Sequence, residues 1–167
     1  MNESDPLAVL AVHPTSRGFG WILFEGPSSP FDWGTVEVEG DKHAASLARV
    51  AELLKKSQPD VLALEAFDDD TARRAPRIQQ IGKDIAELAT NKGIEVAILS
   101  RAAIQTAFAA SGARTREEIA EAIARHIEPL RHRLPQRRKI WVGEQPSLSI
   151  FSAAACALAY YAGRTNA

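Results

Sequence analysis

Two uninterrupted apolar runs each stop at a polar, titratable residue. Leu7-Ala8-Val9-Leu10-Ala11-Val12 stops at His13, and Val61-Leu62-Ala63-Leu64 stops at Glu65. A strand with one wet face alternates apolar and polar residues, whereas a strand covered on both faces reads as a continuous apolar run. The chain is therefore expected to build a sheet with helices on both sides. Val9, Ala11, Leu62 and Leu64 are expected in adjacent central strands, with His13 and Glu65 at the same end of the sheet.

The remaining elements follow from periodicity and punctuation. Phe19–Phe24 and Trp33–Glu39 read as strands, separated by Gly18 and the Gly26-Pro27-Ser28-Ser29-Pro30 cluster. Short connections of this kind join antiparallel neighbours. A helix is expected from Lys42, with Leu47, Val50, Leu53 and Leu54 on one face, until Pro59 breaks it. A second helix is expected from Pro76 to Lys92, with Ile78, Ile81, Ile85 and Leu88 inward and Gly93 at its C-terminal cap. Ile94–Leu99 reads as a fifth strand and Ala102–Phe108 as a short helix. Thr115-Arg116-Glu117-Glu118 has capping-box spacing and opens a helix bearing Ile119, Ile123 and Ile127. Arg131–Lys139 reads as a basic loop, and a last helix is expected from Ser147 to Ala162, capped by Gly163. Three antiparallel strands followed by two reached through helices predict a mixed five-stranded α/β sheet in one domain spanning 1–167.

Composition narrows the class without naming a function. The 167 residues are 46% apolar and 25% charged, with a net charge of -1. That balance describes a globular chain with no overall pull toward nucleic acid or anionic membrane. The single cysteine, Cys156, points to a reducing, cytoplasmic compartment. The start of the chain shows no signal-peptide pattern, and the apolar stretch Leu148–Ala162 suits a buried helix better than a membrane span.

The segment His13-Pro14-Thr15-Ser16-Arg17-Gly18-Phe19-Gly20 resembles the first motif of RuvC-type Holliday-junction resolvases. In that motif an acidic residue precedes Pro-Gly/Thr-Ser and opens a metal site. Glu65 resembles the second acid of the same site. Ser100–Ala113, which contains Gln105-Thr106, and Ala157-Leu158-Ala159 are similar to later segments of the family. The resemblance covers most of the chain. It implies an RNase H-like fold, a Mg²⁺- or Mn²⁺-dependent endonuclease, branched DNA as partner, and a homodimer. The apolar faces of the helices beginning near Pro76 and Thr115 suit either core or dimer interface.

Two-metal hydrolysis needs clustered carboxylates around ions roughly 4 Å apart. The resemblance places them at the ends of strands one and four and in the last helix. Those positions read His13, Glu65 and the segment Phe151–Cys156, where Ser152 or Ala153 is the nearest match. Glu65 is the expected metal ligand. His13 is either a ligand or base, or a neutral side chain filling a lost metal position. The expected activity is therefore weak or lost, and the alternative is a non-catalytic module that binds nucleic acid or protein. Asp68, Asp69, Asp70 and Glu144 are candidate replacement ligands.

Basic charge is concentrated locally. Arg125–Lys139 holds six basic residues against Glu128, a net +5, which leaves -6 for the remainder. Arg131, Arg133, Arg137 and Arg138 there, with Arg73 and Arg74 earlier, are the candidate phosphate contacts. Trp141 beside them suits packing, or stacking on an exposed base.

Overall fold

The computed structural model describes residues 7–67, 76–135 and 146–165. Five strands form one sheet: β1 (Val9–Pro14), β2 (Gly18–Phe24), β3 (Pro30–Glu37), β4 (Val61–Glu65) and β5 (Glu95–Leu99). The order across the sheet is β3-β2-β1-β4-β5. β2 runs antiparallel to its neighbours β1 and β3, and β4 and β5 run parallel to β1. The sheet is the mixed, five-stranded RNase H-like arrangement expected.

Strand periodicity divides the core in two. Val9, Ala11, Ile22, Phe24, Val61 and Ala63 pack on one face, against the helices late in the chain. Leu10, Val12, Leu23, Leu62 and Leu64 pack on the other, against α1 (Lys42–Ser57) and α2 (Pro76–Asn91). The late helices are α3 (Arg101–Ala107), α4 (Arg116–His126) and α5 (Leu148–Thr165). Ile81 and Ile85 of α2 and Ile119 and Ile123 of α4 are buried. The two helix faces that suited core or interface are thus core.

Three local expectations are corrected. α5 runs through Gly163 to Thr165, so Gly163 does not end it. Arg131–Arg133 belong to a 3₁₀ helix, Glu128–Arg133, because Pro129 stops α4 but suits the first turn of a tighter helix. β3 spans Pro30–Glu37 and not Trp33–Glu39. Pro30 at its first position pairs with Phe24 across a register shift. No helix among the described residues is long and apolar enough to cross a membrane.

α5 is the element that builds the site. It packs on β1, β2 and β4 of the sheet and on α3 and α4. Gly20 lets it approach: a Cβ at Gly20 would lie 2.5 Å from the backbone carbon of Ser149. Gly20 pairs with His13 across the β1–β2 ladder. At its other end, Tyr161 donates its hydroxyl to the Leu7 carbonyl at 2.5 Å.

Candidate functional site

The parallel β1–β4 register brings the two polar strand ends together. Ala11 pairs with Ala63, and two positions further on stand His13 and Glu65. Each shares its strand's parity with residues on the α5 face. His13 is 7% exposed, and the Glu65 side chain only 3%. A carboxylate so withdrawn from water needs charged or hydrogen-bonding partners.

Two arginines supply them, each placed by a helix cap. Ser100 accepts a hydrogen bond from the Ala103 backbone N–H at 3.0 Å, which makes Arg101 the first residue of α3. Thr115 and Glu118 form a reciprocal capping box, which makes Arg116 the first residue of α4. Arg116 Nη2 donates to Glu65 Oε2 at 2.9 Å. Its Nη1 reaches Ser152 Oγ in α5 at 3.4 Å. Arg101 Nη1 lies 3.6 Å from Glu65 Oε1, and its Nη2 donates to the Arg114 carbonyl at 3.1 Å. These groups line a narrow pocket of about 10 Å³, with apolar walls that include Ile104, Ile119 and Phe151.

The sequence-derived candidates separate into three sets. Glu65, His13 and Ser152 lie at or beside this cluster, as their positions predicted. Ala153 and Cys156 are buried in the hydrophobic core instead. Arg131 and Arg133 follow the far end of α4, whose 11 residues span about 16 Å from Arg116. Arg131 there donates to the Ala124 and Arg125 carbonyls at 3.2 and 3.4 Å, so it serves the end of α4. Arg73, Arg74, Arg137, Arg138, Trp141, Asp68, Asp69, Asp70 and Glu144 lie outside the described residues. Sequence reasoning missed Arg101 and Arg116, the partners of the carboxylate it singled out.

Among the described residues, the donors around Glu65 do not make up the ligand set of a pair of divalent cations. Such a pair requires several hard oxygen ligands with net negative charge. Here one carboxylate faces two guanidiniums, with a hydroxyl from Ser152. Among the described residues, no group of three or more His, Cys, Asp or Glu side chains is arranged to hold a metal ion.

A mixed sheet in this order, with a polar cluster where β1 and β4 end and one long helix packed over it, is the fold of RNase H-like nucleases. Within that class it has the fold of RuvC Holliday-junction resolvases. The solved structure of Thermus thermophilus RuvC superposes with a TM-score of 0.69 at 17% identity, covering 96% of this chain and 97% of that one. T. thermophilus RuvC in complex with a Holliday-junction substrate gives the same TM-score and identity, covering 96% of each chain. The yeast mitochondrial Holliday-junction resolvase gives 0.63 at 14% identity, covering 96% of this chain and 82% of that one. At these identities the likeness is one of fold. No protein-family model matches the sequence. No curated protein matches it either.

Proposed function

We propose that this protein binds branched or structured nucleic acid at the sheet end marked by His13 and Glu65, with cleavage weak or lost. The observation that carries the reading is the pairing of Glu65 with Arg101 and Arg116. A carboxylate neutralised by two guanidiniums is a poor Mg²⁺ or Mn²⁺ ligand, because an ion must compete with the charge-assisted hydrogen bond from Arg116 and the ion pair with Arg101. The fold supports the nucleic-acid assignment, since a RuvC of this fold is known bound to a Holliday junction. Further arginines follow the same end of the sheet. Arg17 lies in the turn after β1, and Arg77 of α2 donates to the Ser16 carbonyl in that turn at 2.9 Å. Binding as a homodimer belongs to the same proposal, because two-fold pairing matches the symmetry of a four-way junction. Sedimentation as a monomer at micromolar concentration, with and without junction, would remove that part.

The test is a labelled four-way DNA junction against single-stranded controls, with EDTA, Mg²⁺ and Mn²⁺ in separate arms. The expected outcome is junction binding in every arm and little or no cleavage in any. Robust Mg²⁺-dependent cleavage abolished by Glu65→Gln would overturn the reading. It would direct attention to Asp68, Asp69, Asp70 and Glu144 as the carboxylates that complete a metal site.

A further inference from the structure

We infer that Arg101, Arg116 and Ser152 form a seat for one phosphodiester group of a nucleic-acid backbone, engaged without a divalent cation. The inference rests on the nucleic-acid reading above and names the groups that would make the contact.

Charge is the first reason. Among the described residues, the two guanidiniums paired with the Glu65 carboxylate give the group a net charge of +1. A metal-loaded nuclease presents cationic charge to the phosphate through its ions. Here the cations are covalently attached guanidiniums, so the attraction needs nothing from solution.

Layering is the second reason. The Glu65 side chain is 3% exposed, against 21% for Arg101 and 30% for Arg116. The anion lies beneath and the cations lie nearer solvent, which is the order an incoming anion requires. The reverse order would repel it.

Preorganisation is the third. A guanidinium is a planar fork with five N–H donors. Arg116 is held at both terminal nitrogens, by Glu65 and by Ser152, and Arg101 is held by Glu65 and the Arg114 carbonyl. Both forks are fixed before a ligand arrives, and fewer rotamers are lost on binding. The remaining donors match phosphate oxygens, which arginine engages with two parallel bonds. The pocket, at about 10 Å³, lies at the lower limit of what admits a single water. It accepts an oxygen of a backbone phosphate and excludes an enclosed nucleotide.

The experiment measures affinity for a four-way DNA junction by fluorescence anisotropy, between about 50 and 200 mM salt, in EDTA and in Mg²⁺. Wild type is expected to bind equally in the two. Glu65→Gln raises the local charge from +1 to +2 and keeps a hydrogen-bond acceptor behind the arginines. It should tighten binding several-fold in EDTA. Arg101→Gln should weaken binding and lower the salt slope by about 0.9 on duplex arms. Arg116→Lys keeps the charge but loses the fork, so it should weaken binding with the slope retained. Thermal melts confirm that each variant is folded, and Arg101→Gln, at the less tightly held partner, serves if Glu65→Gln is not.

Binding by wild type with no change in Glu65→Gln or Arg101→Gln would mean the cluster only braces the fold, and the seat is rejected while nucleic-acid binding stands. Wild-type binding that requires Mg²⁺ would reject metal independence. No binding in either arm would reject the nucleic-acid reading and the seat together.

Discussion

At Gly20, β2 carries no side chain because the start of α5 rests on it. Any Cβ there would lie 2.5 Å from the Ser149 backbone, and backbone cannot swing aside as a flexible side-chain tip can. Gly20→Ala should therefore destabilise by about 1–3 kcal/mol, the usual cost of overpacking a filled site. The check is the midpoint and slope of urea denaturation. A midpoint equal to wild type would mean that α5 shifts freely, and that Ser152 is not held at the cluster. Residues of this kind were partly legible in the sequence. Glu65 stood out as the charge that ends an apolar run, whereas Gly20 was only the last residue of the His13–Gly20 segment, with nothing to mark its packing role. Arg101 and Arg116 did not stand out, because cap patterns direct attention to Ser100, Thr115 and Glu118. A signal was present nonetheless. Cations at the first position of a helix oppose its macrodipole. Two such arginines, opening consecutive α-helices, call for a compensating carboxylate, and Glu65 provides it.

Among the elements, α5 depends on an anchor at each end: Gly20 at its start and Tyr161 near its finish. Burial, with Tyr160 beside it, raises the Tyr161 phenol from 10.0 to about 12, against the opposing effect of its backbone hydrogen bonding. Below pH 10 the phenol is protonated in both folded and unfolded chains and contributes no pH dependence. Between about 10 and 12 the unfolded chain has released this proton while the folded chain retains it. Stability must then fall as pH rises, by about 1.4 kcal/mol per unit of separation at most. Tyr161→Phe should cost about 1 kcal/mol near neutral pH by removing the bond to the Leu7 carbonyl. It should also lack the alkaline loss, so the two proteins converge or cross as pH passes from 10 to 12. Parallel denaturation curves across that range would place the phenol in water. Helix and strand positions were largely legible, because continuous runs and 3.6-residue periodicity survive in a single sequence. The ends were less so. Gly163 stays helical since its neighbours Tyr161 and Ala159 are packed in the core, and that packing outweighs the residue's preference for a cap.

Over the whole molecule, the topology decides which charges can act together. Parallel strands β1, β4 and β5 end at one edge, and the turn or helix that follows each begins there. Arg17, Arg77 and Arg101 are therefore gathered from distant parts of the sequence by strand direction, and Arg116 joins them where the start of α4 meets Glu65. The most conspicuous basic stretch of the sequence begins elsewhere: Arg131 and Arg133 sit beyond the opposite end of α4. Local charge density thus pointed to one end, and the fold assembles a second basic group at the other. If a branched nucleic acid spans both, the two groups touch different phosphates and should act independently. Sites more than about 10 Å apart with no shared partner add within about 0.5 kcal/mol. Glu65→Gln should tighten junction binding, and Arg133→Gln should weaken it with a salt slope lower by about 0.9. The double variant should show the sum of the two changes in log affinity. Arg133 is the right choice at the far end, because Arg131 is committed to the α4 carbonyls and its loss would mix folding with binding. An unchanged affinity in Arg133→Gln would confine binding to the Glu65 edge. A double variant far from additive would mean that both substitutions act through one shared contact or through the fold. Additivity, with each single change in its expected direction, would fix two points of the track a nucleic-acid backbone follows across this protein.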